Sequence, residues 1–136
     1  EIVNEAGTHN NYIFGADAAE LKELRARYDP KAVYAENSRV RRVTDSLVDG
    51  SLSDGGTGMF RELYNSILEG AEWHPPDVYF LLHDFESYAD AKLRALTDYA
   101  DRDAFSQKCF LNAVSSGYFS SDRTVKEYAK EIWKII

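Results

Sequence analysis

The sequence is poor in cysteine, with Cys109 the only one among 136 residues. An internal disulfide is therefore excluded, and this cysteine content favours the cytoplasm over an oxidising compartment. No apolar run approaches the roughly 20 residues that a membrane-spanning helix requires. The opening residues, EIVNEAG, also lack the basic and apolar regions of a signal peptide. We predict a cytoplasmic location without membrane contact, and we expect a chain that begins with Glu1 rather than Met to be part of a longer protein.

Positive charge is scarce as well. The 16 lysines and arginines are outnumbered by 23 acidic residues, which gives a net charge of -7. A surface that follows nucleic-acid phosphates needs clustered basic side chains, so nucleic acid is not an expected partner. The chain is 44% hydrophobic and 13% aromatic, an ordinary composition for one folded domain with a core of its own.

Most of the chain shows the three- and four-residue apolar spacing of amphipathic helices. Asp17 and Glu20 form a predicted capping box, and Asp29-Pro30 places proline at a first helical position, where its missing N–H is harmless. Further helices are predicted over SRVRRVTDSLVDG, MFRELYNSILEG, FESYADAKLRALTDYA and DAFSQKCFLNAVSSG, with a cap at Asp103 and ends at Gly50, Gly70 and Gly117.

Two short runs predict β-strands, Asn11–Phe14 (NYIF) and Asp77–Leu82 (DVYFLL). Both are nearly continuous in apolar or aromatic residues, which is typical of strands covered on both faces in a parallel sheet. Two strands alone make a marginal sheet. We therefore expect further strands of the sheet to lie elsewhere in a longer chain.

The closing segment SSDRTVKEYAKEIW predicts one more helix. Ser121 is the predicted cap, and Asp122 places negative charge near the positive end of the helix dipole. A continuous apolar stripe follows, formed by Val125, Tyr128, Ala129, Ile132, Trp133 and Ile136. Such a stripe needs an apolar partner, either this domain or another part of a longer protein.

Two places carry candidate chemistry. The loop Asp54–Gly58 (DGGTG) is glycine-rich, but it follows a helix and lacks the Lys-Ser/Thr pair of a phosphate-binding loop, so we interpret it as a connector. Asp84 and Glu86 follow a predicted strand, where open α/β sheets place ligand-binding groups. Their spacing fits a catalytic acid and base or a cap for the next helix, and we favour the cap.

The remaining candidates are isolated residues. Three histidines are scattered along the chain, at His9, His74 and His83. None has a second histidine or a cysteine at metal-ligand spacing, so no metal site is assigned. Cys109 shares an apolar stripe and is interpreted as a core residue rather than a nucleophile. Tyr128 and Trp133 could stack on a sugar ring, but their helical spacing favours packing. From the residues alone, no catalytic, cofactor-binding or metal-binding residue is assigned.

Three stretches, in the same order along the chain, resemble one enzyme family. Asn112–Trp133 (NAVSSGYFSSDRTVKEYAKEIW) is similar to its C-terminal signature. Asn11–Gly15 (NYIFG) resembles its strand ending in Ile-Phe-Gly, and Asp84–Tyr88 (DFESY) resembles its Asp-Phe/Tyr-Glu-x-Tyr. The opening Glu1-Ile2 resembles the residues that follow its Asp-Gly-Ala-Asn-Val. The family is that of the α-glucan phosphorylases, which act on glycogen, starch and maltodextrins, and the resemblance covers essentially the whole chain.

The resemblance implies a fold class and a chemistry. The expected fold is α/β, with this chain forming the C-terminal part of a Rossmann-like domain in a two-domain GT-B enzyme, mostly helical with two short strands. The implied reaction moves a terminal glucosyl unit from an α-1,4-glucan to orthophosphate with retention. Pyridoxal phosphate is the implied cofactor, and its phosphate group serves as the acid/base. Its lysine belongs to a glycine-rich stretch ending in Asn-Met-Lys that this sequence does not contain, so no cofactor-binding residue is carried over.

The resemblance also implies a division of the chain. Residues 1–117 would form the last part of the cofactor-bearing domain, and residues 118–136 would form a return helix that packs on the N-terminal domain of the longer protein. The rest of that chain and a second copy in a homodimer are the implied partners. The alternative is a small helical interaction module, without activity, that uses its aromatic helix to bind another protein.

Overall fold

The computed structural model describes residues 2–135, and the predictions that involve Glu1 and Ile136 lie outside the described residues. The described chain is mostly helical, as expected. Its α-helices are α1 (Ile2–Ala6), α2 (Ala18–Leu24), α3 (Pro30–Glu36), α4 (Ser38–Asp45), α5 (Met59–Leu68), α6 (Leu81–Asp98), α7 (Arg102–Ser115) and α8 (Ser121–Glu127). Short 3-10 helices cover Thr8–Asn10 and Ser116–Phe119, and a π-helical turn covers Tyr128–Ile132.

The helices form two units. The inner unit is Phe14–Ala89, and the terminal unit comprises residues 2–13 and 90–135. The boundary falls within α6, so that this helix contributes residues to both. None of the helices formed by residues 2–135 combines the length and the apolar character that crossing a bilayer requires.

The inner unit has its core where α3, α4, α5 and the start of α6 meet. Val40 is 1% exposed and packs with buried Leu68 and Leu82. The side chains of Val33, Tyr34, Tyr64, Ile67 and Phe85 surround this cluster. Buried Thr44 donates its hydroxyl hydrogen to the carbonyl of Val40 at 2.9 Å, so this polar group inside the helix layer is satisfied.

The terminal unit packs α7 against the N-terminal residues of the described chain. Asn112 on α7 donates from Nδ2 to the carbonyl of Asn10 at 2.7 Å, and to that of Lys108 at 3.0 Å. On the same helix, Phe105 packs edge-on against Tyr99, with ring centroids 5.0 Å apart. The guanidinium of Arg102 lies 3.6 Å from the Tyr99 ring centroid, and this contact closes the turn between α6 and α7.

The two predicted strands are not present among residues 2–135. Asp77–Leu82 divides into a turn and the first residues of α6, because Asp77 accepts hydrogen bonds from the helix amides that follow it. Asn11–Phe14 lies outside the helices, and Asn11 has extended backbone angles, but the segment pairs with no neighbouring strand in the described part of the chain. A strand requires a hydrogen-bonded partner, and apolar content alone does not supply one.

Several predicted caps are confirmed and two are wrong. Asp17 forms the predicted capping box with Glu20, and Asp29 caps α3 through the amide of Lys31. The cap of α7 is Asp101 rather than Asp103, and the cap of α8 is Ser120 rather than Ser121. Asp103 and Ser121 already lie in the first helical turn, so neither can cap its helix. The acidic Asp103 still interacts favourably with the positive end of the helix dipole.

Gly50 has the predicted left-handed backbone, at φ +90°, although α4 already ends at Asp45. Gly70, where a helix end is predicted, follows the end of α5 at Leu68 and has φ +75°. The helix end predicted at Gly117 lies two residues earlier, because α7 ends at Ser115 and the chain continues through Gly117 as a 3-10 helix.

Candidate functional site

Two of the three stretches that carry the family resemblance meet in the inner unit. The amide of Ala16 donates to Oδ1 of Asp84 at 3.2 Å, and the amide of Gly15 donates to the hydroxyl of Ser87 at 3.0 Å. Gly15 has φ +80°, and a β-carbon added there would lie 2.5 Å from Oδ2 of Asp84. Glycine is therefore required at this position both for the backbone conformation and for the close approach of the carboxylate.

Aromatic packing extends this contact. The ring of Phe14 lies edge-on to that of Tyr88, with centroids 5.1 Å apart. We call the contact of residues 14–16 with residues 84–88 the motif contact. His83 places Nδ1 2.8 Å from Oδ1 of Asp84, so the carboxylate interacts with a backbone amide and an imidazole together.

Glu86 contacts a different part of the inner unit. Its carboxylate accepts from Nδ2 of Asn37 at 3.0 Å and forms an ion pair with Arg39. The Oδ1 atom of Asn37 in turn caps α4, by accepting from the amides of Arg39 and Val40. Glu86 therefore orients the amide that caps the neighbouring helix.

The predicted cap for α6 was one of Asp84 and Glu86, and this prediction is wrong. The carboxylate that binds the first amides of α6 belongs to Asp77, which accepts from Leu81 at 2.8 Å and from Leu82 at 2.9 Å. Asp77 is only 4% exposed, and it also accepts the phenol hydrogen of Tyr28 at 2.5 Å. Burial, and then the bond to Asp77, raise the pKa of Tyr28 well above its usual value.

Sequence reasoning missed Asp77 because it was assigned to a strand. The available signal was the run Pro75-Pro76-Asp77, since two prolines followed by aspartate favour a turn and a side chain that bonds to nearby amides.

In the terminal unit, Tyr12 takes part in a polar cluster. Its phenol donates to Oδ2 of Asp98 at 2.8 Å, and Nζ of Lys108 donates to the same oxygen at 2.6 Å. The bond from Lys108, followed by that from Tyr12, holds the pKa of the Asp98 carboxyl below its usual value. The cluster lines a cleft of about 710 Å³, but its three polar groups already satisfy one another.

The loop Asp54–Gly58 binds its own carboxylate. Oδ1 of Asp54 accepts from the amide of Gly56 at 3.0 Å, and Oδ2 accepts from that of Phe60 in the first turn of α5 at 3.2 Å. These bonds, with that from Phe60 the largest, lower the pKa of Asp54. A carboxylate thus lies where a phosphate would have to bind, which supports the interpretation as a connector.

The isolated candidates are not brought together. The three histidines lie beside different partners, and residues 2–135 contain no group of three or more His, Cys, Asp or Glu side chains placed to hold a metal ion. Cys109 is exposed, so its interpretation as a core residue is wrong. The stripe along α7 does not face a core at that position within the described residues.

The last helix has an exposed apolar side. Val125 is 55% exposed, Ile132 63% and Trp133 54%, while Ala129 is buried at 8%. The π-helical turn gives the amide of Trp133 the carbonyl of Tyr128 as its partner, at 2.8 Å. The predicted stripe therefore has no apolar cover from the described residues over most of its length.

Comparison with known proteins decides the family. The family model described as carbohydrate phosphorylase matches residues 1–135. The chain belongs to the carbohydrate phosphorylase family. The motif contact is therefore the junction of two sequence stretches of a carbohydrate phosphorylase.

The similar relatives are much longer than this chain. A glycogen phosphorylase of Bacillus subtilis is 39% identical over 137 residues, which cover 99% of this chain and 16% of the relative. A glycogen phosphorylase of Synechocystis is 35% identical, with 99% and 15% covered. An alpha-glucan phosphorylase, H isozyme, of Solanum tuberosum is 38% identical, with 99% and 16% covered. The chain thus spans about a sixth of the length of these relatives.

Proposed function

We propose that this chain is the C-terminal segment of an α-glucan phosphorylase. The complete protein would transfer a terminal glucosyl unit from an α-1,4-glucan to orthophosphate, and would release α-D-glucose 1-phosphate. The match of residues 1–135 to the carbohydrate phosphorylase family carries this proposal. The names of the relatives, glycogen and alpha-glucan phosphorylase, support the substrate class. A GT-B architecture, a homodimer and a cytoplasmic location belong to the same proposal.

Within that enzyme, this segment would have a structural role. Asp84 and Glu86 follow each other closely enough to suggest an acid and a base, yet each already bonds to groups that organise the inner unit. General acid-base catalysis requires a group that can reach the substrate and exchange a proton with it. The contacts of both carboxylates favour support of the fold over catalysis.

The lysines of this chain do not suit pyridoxal phosphate. A lysine that forms a Schiff base needs an enclosed pocket in which its amine is free to react. Lys108 is half-buried, but it bonds to Asp98 and Tyr12, and the other lysines of residues 2–135 are exposed. The proposed cofactor would therefore bind to sequence that precedes this segment in the longer protein.

Residues 118–136 would pack on the N-terminal domain, with residues 1–117 completing the cofactor-bearing domain. The exposed side chains of Ile132 and Trp133 support this part of the proposal, because an apolar side left in water is unfavourable. A small interaction module would expose the same side chains, so exposure alone does not separate the two functions.

Activity separates them. The longer protein, with its upstream sequence, should release glucose 1-phosphate from maltoheptaose and orthophosphate, and should carry pyridoxal phosphate that borohydride reduction fixes to a lysine outside residues 1–136. The isolated segment should be inactive. A longer protein that binds no cofactor and releases no glucose 1-phosphate would reject the proposal in favour of an interaction module.

A further inference from the structure

The most exposed tryptophan in the described chain lies on a tight turn of the inner unit. Trp73 is 84% exposed. The turn that carries it is closed in both directions, because the amide of Ala71 donates to the carbonyl of His74 at 3.0 Å, and the amide of His74 donates back to that of Ala71 at 3.1 Å. Trp73 and Glu72 therefore form the tip of a two-residue loop.

Several contacts hold this turn in one conformation. A β-carbon at Gly70 would lie 2.7 Å from the carbonyl oxygen of His74, so the chain on either side of the loop is in close contact. Two prolines follow His74 and restrict the backbone further. Nδ1 of His74 lies 2.8 Å from the carbonyl oxygen of Pro75, so Nδ1 carries the hydrogen and Nε2 is left to accept from Ser66 at 3.4 Å. The imidazole is thus fixed, and it packs against the indole at 4.3 Å between ring centroids.

A second aromatic side chain stands close by. Tyr79 is 79% exposed, and it lines one groove of about 210 Å³ together with Trp73. The polar side chains of Ser66 and His74 and the apolar side chains of Leu63 and Ile67 also line this groove. One surface thus combines two exposed aromatic rings, a rigid turn and a few polar atoms.

We propose that Trp73 and Tyr79 form a binding platform for an α-glucan chain. This inference rests on the proposed function. A pyranose ring presents an apolar face of C–H groups that an indole or phenol can cover, and its hydroxyls bond to polar atoms at the rim. Because the aromatic rings stand on a braced turn, little conformational freedom is lost on binding.

Charge favours a neutral polymer over anionic partners. The chain carries a net charge of -7, and Glu72 is adjacent to Trp73 at the tip of the turn. An anionic polymer or an anionic lipid surface would be repelled there, whereas a glucan has no charge and can donate its hydroxyl hydrogens to a carboxylate. The platform would hold a branched or long glucan near the enzyme without taking part in phosphorolysis.

The test compares a polymeric with a short substrate in the full-length enzyme. Trp73→Ala should raise the KM for glycogen and reduce the retardation of the enzyme in native gels that contain glycogen, by about tenfold in apparent affinity. The rate and KM with maltoheptaose should not change, because the proposed platform serves long or branched glucans. Tyr79→Phe, which keeps the ring, should bind glycogen nearly as well as the unsubstituted enzyme. Phe110→Ala is the matched control, since Phe110 is 65% exposed but belongs to the terminal unit.

The outcomes separate this inference from the proposed function. Phosphorolysis of maltoheptaose with unchanged glycogen retardation in Trp73→Ala would overturn the platform while leaving the function in place. An enzyme without phosphorolysis would reject the function, and the gel assay would still test glucan binding by Trp73. If Trp73→Ala instead alters the oligomeric state or the melting temperature, the ring is covered by protein, and the platform is again refuted.

Discussion

Replacement of Gly15 by alanine tests the motif contact directly. The added methyl group would lie 2.5 Å from Oδ2 of Asp84 and 2.8 Å from its Cγ, well inside van der Waals contact. It would also hold an L side chain at φ +80°, which costs about 1–2 kcal/mol. Movement of the carboxylate would weaken its bond from the amide of Ala16, and a hydrogen bond to a charged group contributes about 1.5–3 kcal/mol. We expect a total loss of roughly 2.5–5 kcal/mol in the free energy of unfolding.

Gly55→Ala is the matched control. Gly55 also has a left-handed backbone, at φ +70°, but a β-carbon there would meet no atom within 4 Å. Gly55→Ala should therefore lower the free energy of unfolding only by the cost of an L side chain at positive φ, about 1–2 kcal/mol. Both variants would be made in the longer protein and compared by thermal unfolding and by hydrogen exchange at the amides of residues 14–16. Adding Asp84→Ala to Gly15→Ala should relieve the clash, so that the double variant loses less than the sum of the two single ones. Equal losses for Gly15→Ala and Gly55→Ala would refute the reasoning.

Three further predictions follow from other contacts. Asp77→Ala should destabilise the inner unit by about 2–4 kcal/mol, because it leaves helix amides and the Tyr28 phenol without their acceptor. Urea unfolding measures this loss. A loss no larger than that of Asp54→Ala, which removes a half-buried loop carboxylate, would contradict the assignment. Because the folded-state pKa of Tyr28 is raised, its contribution to stability is complete below about pH 10 and is lost as the pH rises further, when the unfolded chain ionises first. The urea concentration at the unfolding midpoint should therefore fall as the pH rises from about 9 to about 11, the range in which tyrosine ionises. This fall should be smaller in Tyr28→Phe than in the unsubstituted protein. Equal falls would be evidence against the Asp77–Tyr28 bond. Trp133→Ala in the longer protein should lower the melting temperature. If the indole is buried against another domain, the free energy of unfolding should fall by about 3 kcal/mol or more. An unchanged melting temperature would reject the proposed packing.

Local signals in the sequence were sufficient for much of the helical structure. The caps at Asp17 and Asp29 follow from side chains that bond to amides two or three residues away, and these bonds do not depend on the rest of the fold. The errors at Asp103 and Ser121 were of one or two residues, because neighbouring serines and aspartates compete for the same capping position. The helix α1 gave no such signal and was not predicted.

Long-range contacts explain what could not be predicted. DVYFLL has the composition of a buried strand, but Asp77 bonds to the amides of Leu81 and Leu82 and to Tyr28, 49 residues away, in a turn followed by a helix. The same holds for Asp84 and Glu86, since their spacing gives no indication that one binds the amide of Ala16 and the other the side chain of Asn37. Family resemblance identified both motifs, but their contact with each other required the fold.

The two halves of the motif contact are synthesised at different times. Ala16 and Asp84 are 68 positions apart, and Gly15 and Ser87 are 72 apart. At about 5–20 residues per second, the ribosome needs about 3–14 seconds to synthesise residues 84–88 after residues 14–16. During that interval Phe14 has no Tyr88 to pack against, so this aromatic residue remains available to chaperones. A pause in translation before residues 84–88 have left the ribosome should therefore increase chaperone association of the nascent chain more than a pause after they have emerged.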